Sequence, residues 1–188
     1  MKSTYGILAI LPFLYGFEAI AADANKPDAA SITKAMYAAV GVGNVDAAVS
    51  FFADDGYNIG PSGRKTTGKN ELQTLISNSW IPENVQVVIA PDAKTRGENA
   101  ILHVDISTNW EENLGVAPAQ QVNIVNVEGN KIKSITAYFT PSALEKLTQA
   151  CDAHPDSKMP SGTPCGRAIP AFRKHTDNLI TQGFAEKE

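Results

Sequence analysis

The feature that most constrains the fold is a 25-residue stretch, Asn44 to Gly68, which combines a helix, a stop, a strand and a turn. Apolar residues recur at helical spacing over residues 45–53 and predict one buried helix face. The acidic pair Asp54-Asp55, followed by Gly56, predicts the end of this helix. A short strand at residues 57–59 and a Gly-Pro-Ser-Gly turn follow. The chain therefore has to turn sharply from a helix onto a sheet.

Periodicity extends this pattern over the rest of the chain. Helical spacing predicts helices at residues 29–40, 45–53, 70–80 and 142–150, with Asp28 and Thr140 as caps and Pro141 in a first turn. Strand character predicts strands at residues 85–90, 100–110, 121–127 and 131–139. Three helices followed by an antiparallel meander indicate an α+β fold, in which the helices cover a curved sheet and enclose a cone with a pocket.

The first residues have the pattern of a secretory signal peptide. Lys2 precedes an apolar run at residues 6–17, which is shorter than the roughly 20 residues that span a membrane. Ala19-Ile20-Ala21 is a small-x-small cleavage motif, so residues 1–21 are predicted to be removed. The mature protein is expected to be periplasmic or secreted, with no membrane attachment after cleavage.

The net charge of −4 and the absence of a Lys/Arg cluster argue against nucleic acid as a partner. The two cysteines, Cys151 and Cys165, predict a disulfide in an oxidising compartment. Metal binding with His154 is the alternative, but these spacings match no compact zinc site. Residues 22–150 are therefore expected to form one domain, and residues 151–188 a disulfide-pinned extension. The Pro-rich part of that extension, residues 151–171, is predicted to be a loop before a short final helix.

Short motifs along residues 29–147 resemble the NTF2-like superfamily, in particular its SnoaL-like and ketosteroid-isomerase-like branch. The motifs are Gly43-Asn44, Phe52-Ala53-Asp54-Asp55, Pro61-x-Gly63, Gly68, Gly97-x-x-Ala100, Asn130-Lys131-Ile132 and Ala137-Tyr138-Phe139. The resemblance implies a cone-shaped α+β fold, a small and largely apolar ligand, and a pocket wall that includes Phe139. The fold alone does not determine the function.

The resemblance also implies where chemistry would occur. Ketosteroid isomerases use an Asp base before the Pro of the first turn, a Tyr on the first helix and a protonated Asp on a late strand. This chain has Gly60 at the first position, and the register places Ala35 and Asn123 at the other two. Steroid isomerisation by that mechanism is therefore disfavoured.

A row of polar residues on one predicted strand offers different chemistry. Strand alternation places His103, Asp105 and Ser107 on one face, which the family register turns into the cone. Asp105 would then orient His103 as a general acid or base near neutral pH. In the alternative, the same face is exposed to solvent and Val104, Ile106 and Trp110 are buried behind it.

Other candidates are binding residues. Tyr57, Tyr37 or Asn123 could donate to a ligand oxygen, although aromatic packing explains the two tyrosines as well. Ser107 and Phe139 would line the pocket. The sequence lacks a phosphate loop, a nucleophile motif and a metal motif, so neither cofactor nor metal is predicted.

Two functions remain open from the sequence. The first is a pocket protein for a small apolar molecule, with cofactor-independent proton transfer of the isomerase, cyclase or dehydratase kind. The second is a non-catalytic binding or assembly module, with homodimerisation through the sheet. Whether the protein is an enzyme is not decided by the sequence.

Overall fold

The computed structural model describes residues 28–96 and 98–184, and the predicted signal peptide lies outside these residues. The helices are α1 (Ala29–Gly41), α2 (Val45–Ser50), α3 (Lys69–Leu75), a π-helical turn (Ile76–Trp80), α4 (Asn109–Asn113), α5 (Pro141–Ala153) and α6 (Cys165–Thr181). The strands are β1 (Phe52–Ile59), β2 (Lys65–Thr67), β3 (Gln86–Ile89), β4 (Lys94–Arg96), β5 (Asn99–Ser107), β6 (Ala119–Glu128) and β7 (Lys131–Phe139).

Helices α1, α2 and α5 begin at capping side chains. Asp28 accepts a hydrogen bond from the Ser31 amide at 2.7 Å, and Asn44 accepts one from the Ala47 amide at 3.0 Å. Thr140 caps α5, whose first residue is Pro141. These side chains satisfy amides that have no partner within the helix.

The strands form one curved, unclosed sheet in the order β2-β1-β7-β6-β5-β3, and β4 also pairs with β5. The β5–β6 and β6–β7 pairs are antiparallel, as predicted. The β1–β7 pair is parallel, which the predicted meander did not include. The predicted α+β cone is confirmed, with a mixed sheet as its wall.

The two faces of the sheet are covered differently. The inner face carries Leu102, Val104 and Val125, which pack with Met36 of α1 and other helix residues in the main core. The outer face carries Val122, Ile124 and Tyr138, which pack with Leu179 of α6. This division follows from strand alternation, since neighbouring residues point to opposite faces.

The prediction that Asp54 and Asp55 end the second helix is wrong. The helix ends at Ser50, and both aspartates lie exposed in β1. Asp54 forms an ion pair with Lys69 at 2.6 Å, which lowers the pKa of the carboxyl. Gly56 is needed for close approach, because a Cβ there would lie 2.9 Å from the carbonyl oxygens of Ala53 and Ile132. The glycine thus marks an irregularity in the β1–β7 pairing and not a helix end.

Two further boundaries differ from prediction. The strand predicted to reach Trp110 ends at Ser107, because Thr108 caps the short helix α4. The prediction of a loop over residues 151–171 is wrong for residues 165–171, because α6 begins at Cys165 and contains Pro170. Burial of Ala168, Ile169 and Phe172 outweighs the cost of a proline within the helix.

The predicted disulfide between Cys151 and Cys165 is present. Both residues are buried and connect the end of α5 with the start of α6. Together with Leu147 and Phe172 they belong to a second core cluster.

We predict that replacing both cysteines by serine lowers the free energy of unfolding by about 3 kcal/mol, the estimate for a closed loop of about 15 residues. Urea unfolding of the oxidised wild type and of Cys151→Ser/Cys165→Ser measures the difference. Equal midpoints and slopes would contradict the assigned contribution.

Candidate functional site

A cavity of about 230 Å³ opens on the inner face of the sheet. Its walls come from α1, the π-helical turn, the β1–β2 turn, α4, β6, β7 and the C-terminal extension. Five aromatic side chains contribute to its lining: Tyr37, Trp80, Trp110, Phe139 and Phe172. A concave and mostly apolar site with a few polar groups is the usual form of a small-molecule pocket.

The aromatic walls are made of two ring pairs. The Tyr37 and Trp80 ring centroids are 5.9 Å apart. Phe139 of β7 and Phe172 of α6 meet edge to face, with centroids 5.3 Å apart. These pairs connect helix α1 with the π-helical turn and the sheet with the extension.

One polar element of the cavity is a hydrogen bond between α1 and β6. The Asn123 amide Nδ2 donates to the Tyr37 hydroxyl oxygen at 3.0 Å, and Asn123 is completely buried. Burial raises the pKa of Tyr37 to about 12, so its hydroxyl stays protonated at neutral pH. Since the oxygen of Tyr37 accepts this bond, its hydrogen remains available for an acceptor in the cavity.

The second polar element is the carboxyl group of Glu111 on α4. The amide of Glu111 donates to the Thr108 hydroxyl at 3.1 Å, and its carboxyl hydrogen-bonds back to Thr108. This reciprocal arrangement is a capping box. Glu111 is only 3% exposed, and its Oε2 atom has no partner among the described residues. The capping box therefore holds the side chain in place, and Glu111 is one of the residues that line the cavity.

The electrostatic surroundings favour a neutral Glu111. Desolvation, with a smaller contribution from the charge of Glu83, raises its pKa to about 7. Glu83 also lines the cavity and accepts a hydrogen bond from the Trp110 amide at 3.0 Å. Among the described residues that line the cavity there is no Lys, Arg or His to compensate these carboxyls. A carboxyl that titrates near pH 7 can act as a general acid or base.

The structure places the predicted His103 row outside this cavity. Leu102 and Val104 point to the inner core, so His103, Asp105 and Ser107 lie on the outer face. The Nδ1 atom of His103 lies 3.0 Å from the Asp92 carboxylate, which takes the place predicted for Asp105. The expectation that this face looks into the cone is wrong. The catalytic roles of His103 and Asp105, and ligand binding by Ser107, stay predictions without a place in the described cavity.

The predicted binding residues are divided between the cavity and other surroundings. Phe139 lines the cavity, and Asn123 supports Tyr37 from behind. The Tyr57 ring lies under the Lys65 ammonium group, 3.9 Å from its centroid, and its neighbour Asn58 lines the cavity instead. Strand alternation explains this exchange, because Tyr57 and Asn58 point to opposite faces.

The sequence offered Tyr37 as one possible donor to a ligand, but it did not reveal Glu111. The register placed Ala35 at the helix-one position of the family, whereas Tyr37 is the residue of α1 that reaches Asn123. Glu111 was missed because Trp110 was expected within a strand. The Thr-x-x-Glu pattern at residues 108–111 indicates a capping box, but it does not show whether the carboxyl is buried.

Comparisons with known proteins identify similar folds. No family profile and no curated protein matches the chain in sequence. Solved structures that match include a protein from Sphaerobacter thermophilus, with 25% identity and a TM-score of 0.48, over 60% of this chain and 95% of that one. An NTF2-like protein of unknown function from Cytophaga hutchinsonii matches with 18% identity and a TM-score of 0.49, over 65% of this chain and 98% of that one.

A Δ5-3-ketosteroid isomerase from Mycobacterium sp. also matches, with 16% identity and a TM-score of 0.48, over 61% of this chain and 94% of that one. The resemblance to NTF2-like proteins seen in the sequence is thus also found among solved structures.

Residues 28–96 and 98–184 contain neither a membrane-spanning helix nor a metal-binding cluster. No helix there is both long and apolar enough to cross a membrane. No group of three or more His, Cys, Asp or Glu residues in the same ranges could hold a metal ion.

We predict that Glu111 makes the stability of the protein pH-dependent. Its folded pKa of about 7 lies above the ordinary value of 4.5, so the folded state holds this proton more tightly than the unfolded state. The free energy of unfolding should therefore fall as pH rises from 4.5 through about 7. The Glu111→Gln variant should not show this decrease. At pH 8 its free energy of unfolding should exceed that of the wild type by an amount on the order of 3 kcal/mol.

Urea unfolding from pH 4 to pH 8 tests this prediction. Glu112→Gln is the matched control, because Glu112 is exposed on the same helix. A Glu111→Gln variant with the same pH dependence as wild type would refute the raised pKa.

Proposed function

We propose that this protein binds a small, largely apolar molecule with an oxygen-containing group in the cavity and transfers a proton on it without a cofactor. The observation that carries the proposal is the Glu111 carboxyl, which is buried in an otherwise mostly apolar cavity with one oxygen unpartnered among the described residues. Buried polar atoms are nearly always hydrogen-bonded, so an unpartnered one at a cavity wall favours a ligand.

The cavity volume restricts the ligand. An engineered cavity of about 150 Å³ holds one benzene molecule. A volume of 230 Å³ accordingly suits a compound of one or two rings. A four-ring steroid is too large for this cavity, which agrees with the absence of the ketosteroid-isomerase carboxylates from this sequence.

The two polar elements suit different parts of a carbonyl compound. The Tyr37 hydroxyl, supported by Asn123, can donate to the carbonyl oxygen. Glu111, when ionised, can take a proton from the carbon next to the carbonyl. The electron pair of that C–H bond then forms the double bond of an enol or enolate, and the carbonyl pair moves to the oxygen at Tyr37. Glu111 returns a proton to carbon in the reverse step.

A binding protein without catalysis is the second candidate. Gly60 favours it, because this glycine lines the cavity where the ketosteroid-isomerase pattern has its Asp base. In an assembly module, a second copy would contact the outer face around His103, next to the part that α6 covers.

We also propose that the protein acts in the periplasm or after secretion. The predicted signal peptide supports this location, and so does the disulfide, since such bonds persist in oxidising compartments.

Deuterium exchange at the α-carbon of 1-indanone tests the proposed function. We expect the wild type to accelerate exchange in D₂O, with a rate that rises with pH through about 7 as Glu111 ionises. Glu111→Gln should reduce the enzymatic rate by about 100-fold or more, the usual contribution of a general base. Proton NMR of the ketone follows the exchange.

Glu112→Gln and His103→Ala are the controls, and both should keep the wild-type rate. If His103→Ala abolishes the exchange and Glu111→Gln keeps it, the catalytic base is His103 and not Glu111. Binding of 1-indanone without accelerated exchange would support the binding protein.

A further inference from the structure

We infer that the C-terminal extension is the size-selecting wall of the cavity, and that Met159 and Phe172 set the largest ligand that enters. The inference rests on the proposed function, because it concerns the ligand of the same cavity. The resemblance to the cone family ends at residue 147, so this wall is an addition to the cone.

Met159 reaches the cavity from a loop that is otherwise mostly exposed. Residues 152–156 and 160–163 are exposed, whereas Met159 is half-buried and lines the cavity beside Pro160. The Met159 amide donates to the Thr163 carbonyl at 2.9 Å, and the Cys165 amide to the Ser157 carbonyl at 2.8 Å. This backbone pairing holds the loop as a turn with Met159 directed inward.

Phe172 forms the neighbouring part of the wall. It is 2% exposed and packs edge to face on Phe139 of β7, with centroids 5.3 Å apart. One helical turn later Thr176 is also buried, with its hydroxyl 3.5 Å from the Phe139 carbonyl oxygen. Helix α6 is thus docked on the strand that lines the cavity.

The disulfide fixes both ends of the loop. Cys151 lies near the end of α5 and Cys165 at the start of α6, with Cα atoms 5.4 Å apart. Loop 154–164 therefore leaves and re-enters the protein beside one buried point, which belongs to the same core cluster as Phe139 and Phe172. The Met159 side chain is unbranched and flexible, so it can adapt to the shape of a ligand. The backbone of the loop, in contrast, limits the length of the ligand.

Three hydroxylated probes of increasing size test the inference: phenol, 2-naphthol and 9-phenanthrol. Trp80 and Trp110 line the cavity, so quenching of tryptophan fluorescence gives the dissociation constants. We expect the wild type to bind the one- and two-ring probes and to reject 9-phenanthrol. Met159→Ala and Phe172→Ala should each strengthen 9-phenanthrol binding by about tenfold or more and weaken 2-naphthol binding.

Lys158→Ala is the matched control, because Lys158 precedes Met159 in the same loop and is exposed. It should keep the wild-type order of affinities. Phe172→Ala removes a buried core side chain and leaves a cavity. If that variant does not fold, Met159→Ala in the loop decides the question.

The outcomes separate this inference from the proposed function. If the wild type binds none of the three probes, the proposed apolar pocket is wrong. If it binds 2-naphthol and Met159→Ala still rejects 9-phenanthrol, the pocket stands and the size-selecting wall is wrong. Equal binding of all three probes to the wild type would also overturn the wall.

Discussion

Burial of the inner face of the sheet against the helices is the constraint on which the rest of the structure depends. Leu102, Val104 and Val125 fill the main core with Met36 of α1. Because side chains alternate along a strand, this packing determines the face to which every polar residue of β5 and β6 points. Asn123 therefore points into the interior beside Tyr37, and His103 points to the outer face beside Asp92.

The cavity exists because the helices do not cover the whole inner face. Helix α4 and the extension surround the uncovered end of the cone and enclose apolar side chains with few polar ones. Enclosure is also the reason for the chemistry of the site, since removal of water shifts the pKa of Glu111 towards neutrality. The same element, α4, is anchored by the capping box at Thr108, so local helix geometry and the position of the carboxyl are connected.

Sequence patterns predicted the elements better than the site. The bounds of β7, the caps Asp28 and Thr140 and the disulfide are as expected. Local signals suffice for these features, because capping and strand alternation act over short distances and the chain has only two cysteines to pair. The aspartates at 54 and 55 were misplaced because a β-strand with an irregular pairing and a close backbone approach at Gly56 resembles a helix stop in sequence.

The sequence by itself determined the α+β order, the caps and the pairing of Cys151 with Cys165. Only the tertiary structure decided which face was inside, that Tyr37 reached Asn123, and that Glu111 was buried at the cavity. Periodicity indicates which residues share a face, but the segment that covers this face is distant in sequence. Burial, desolvation and pKa depend on that partner, so they follow from the packed chain alone.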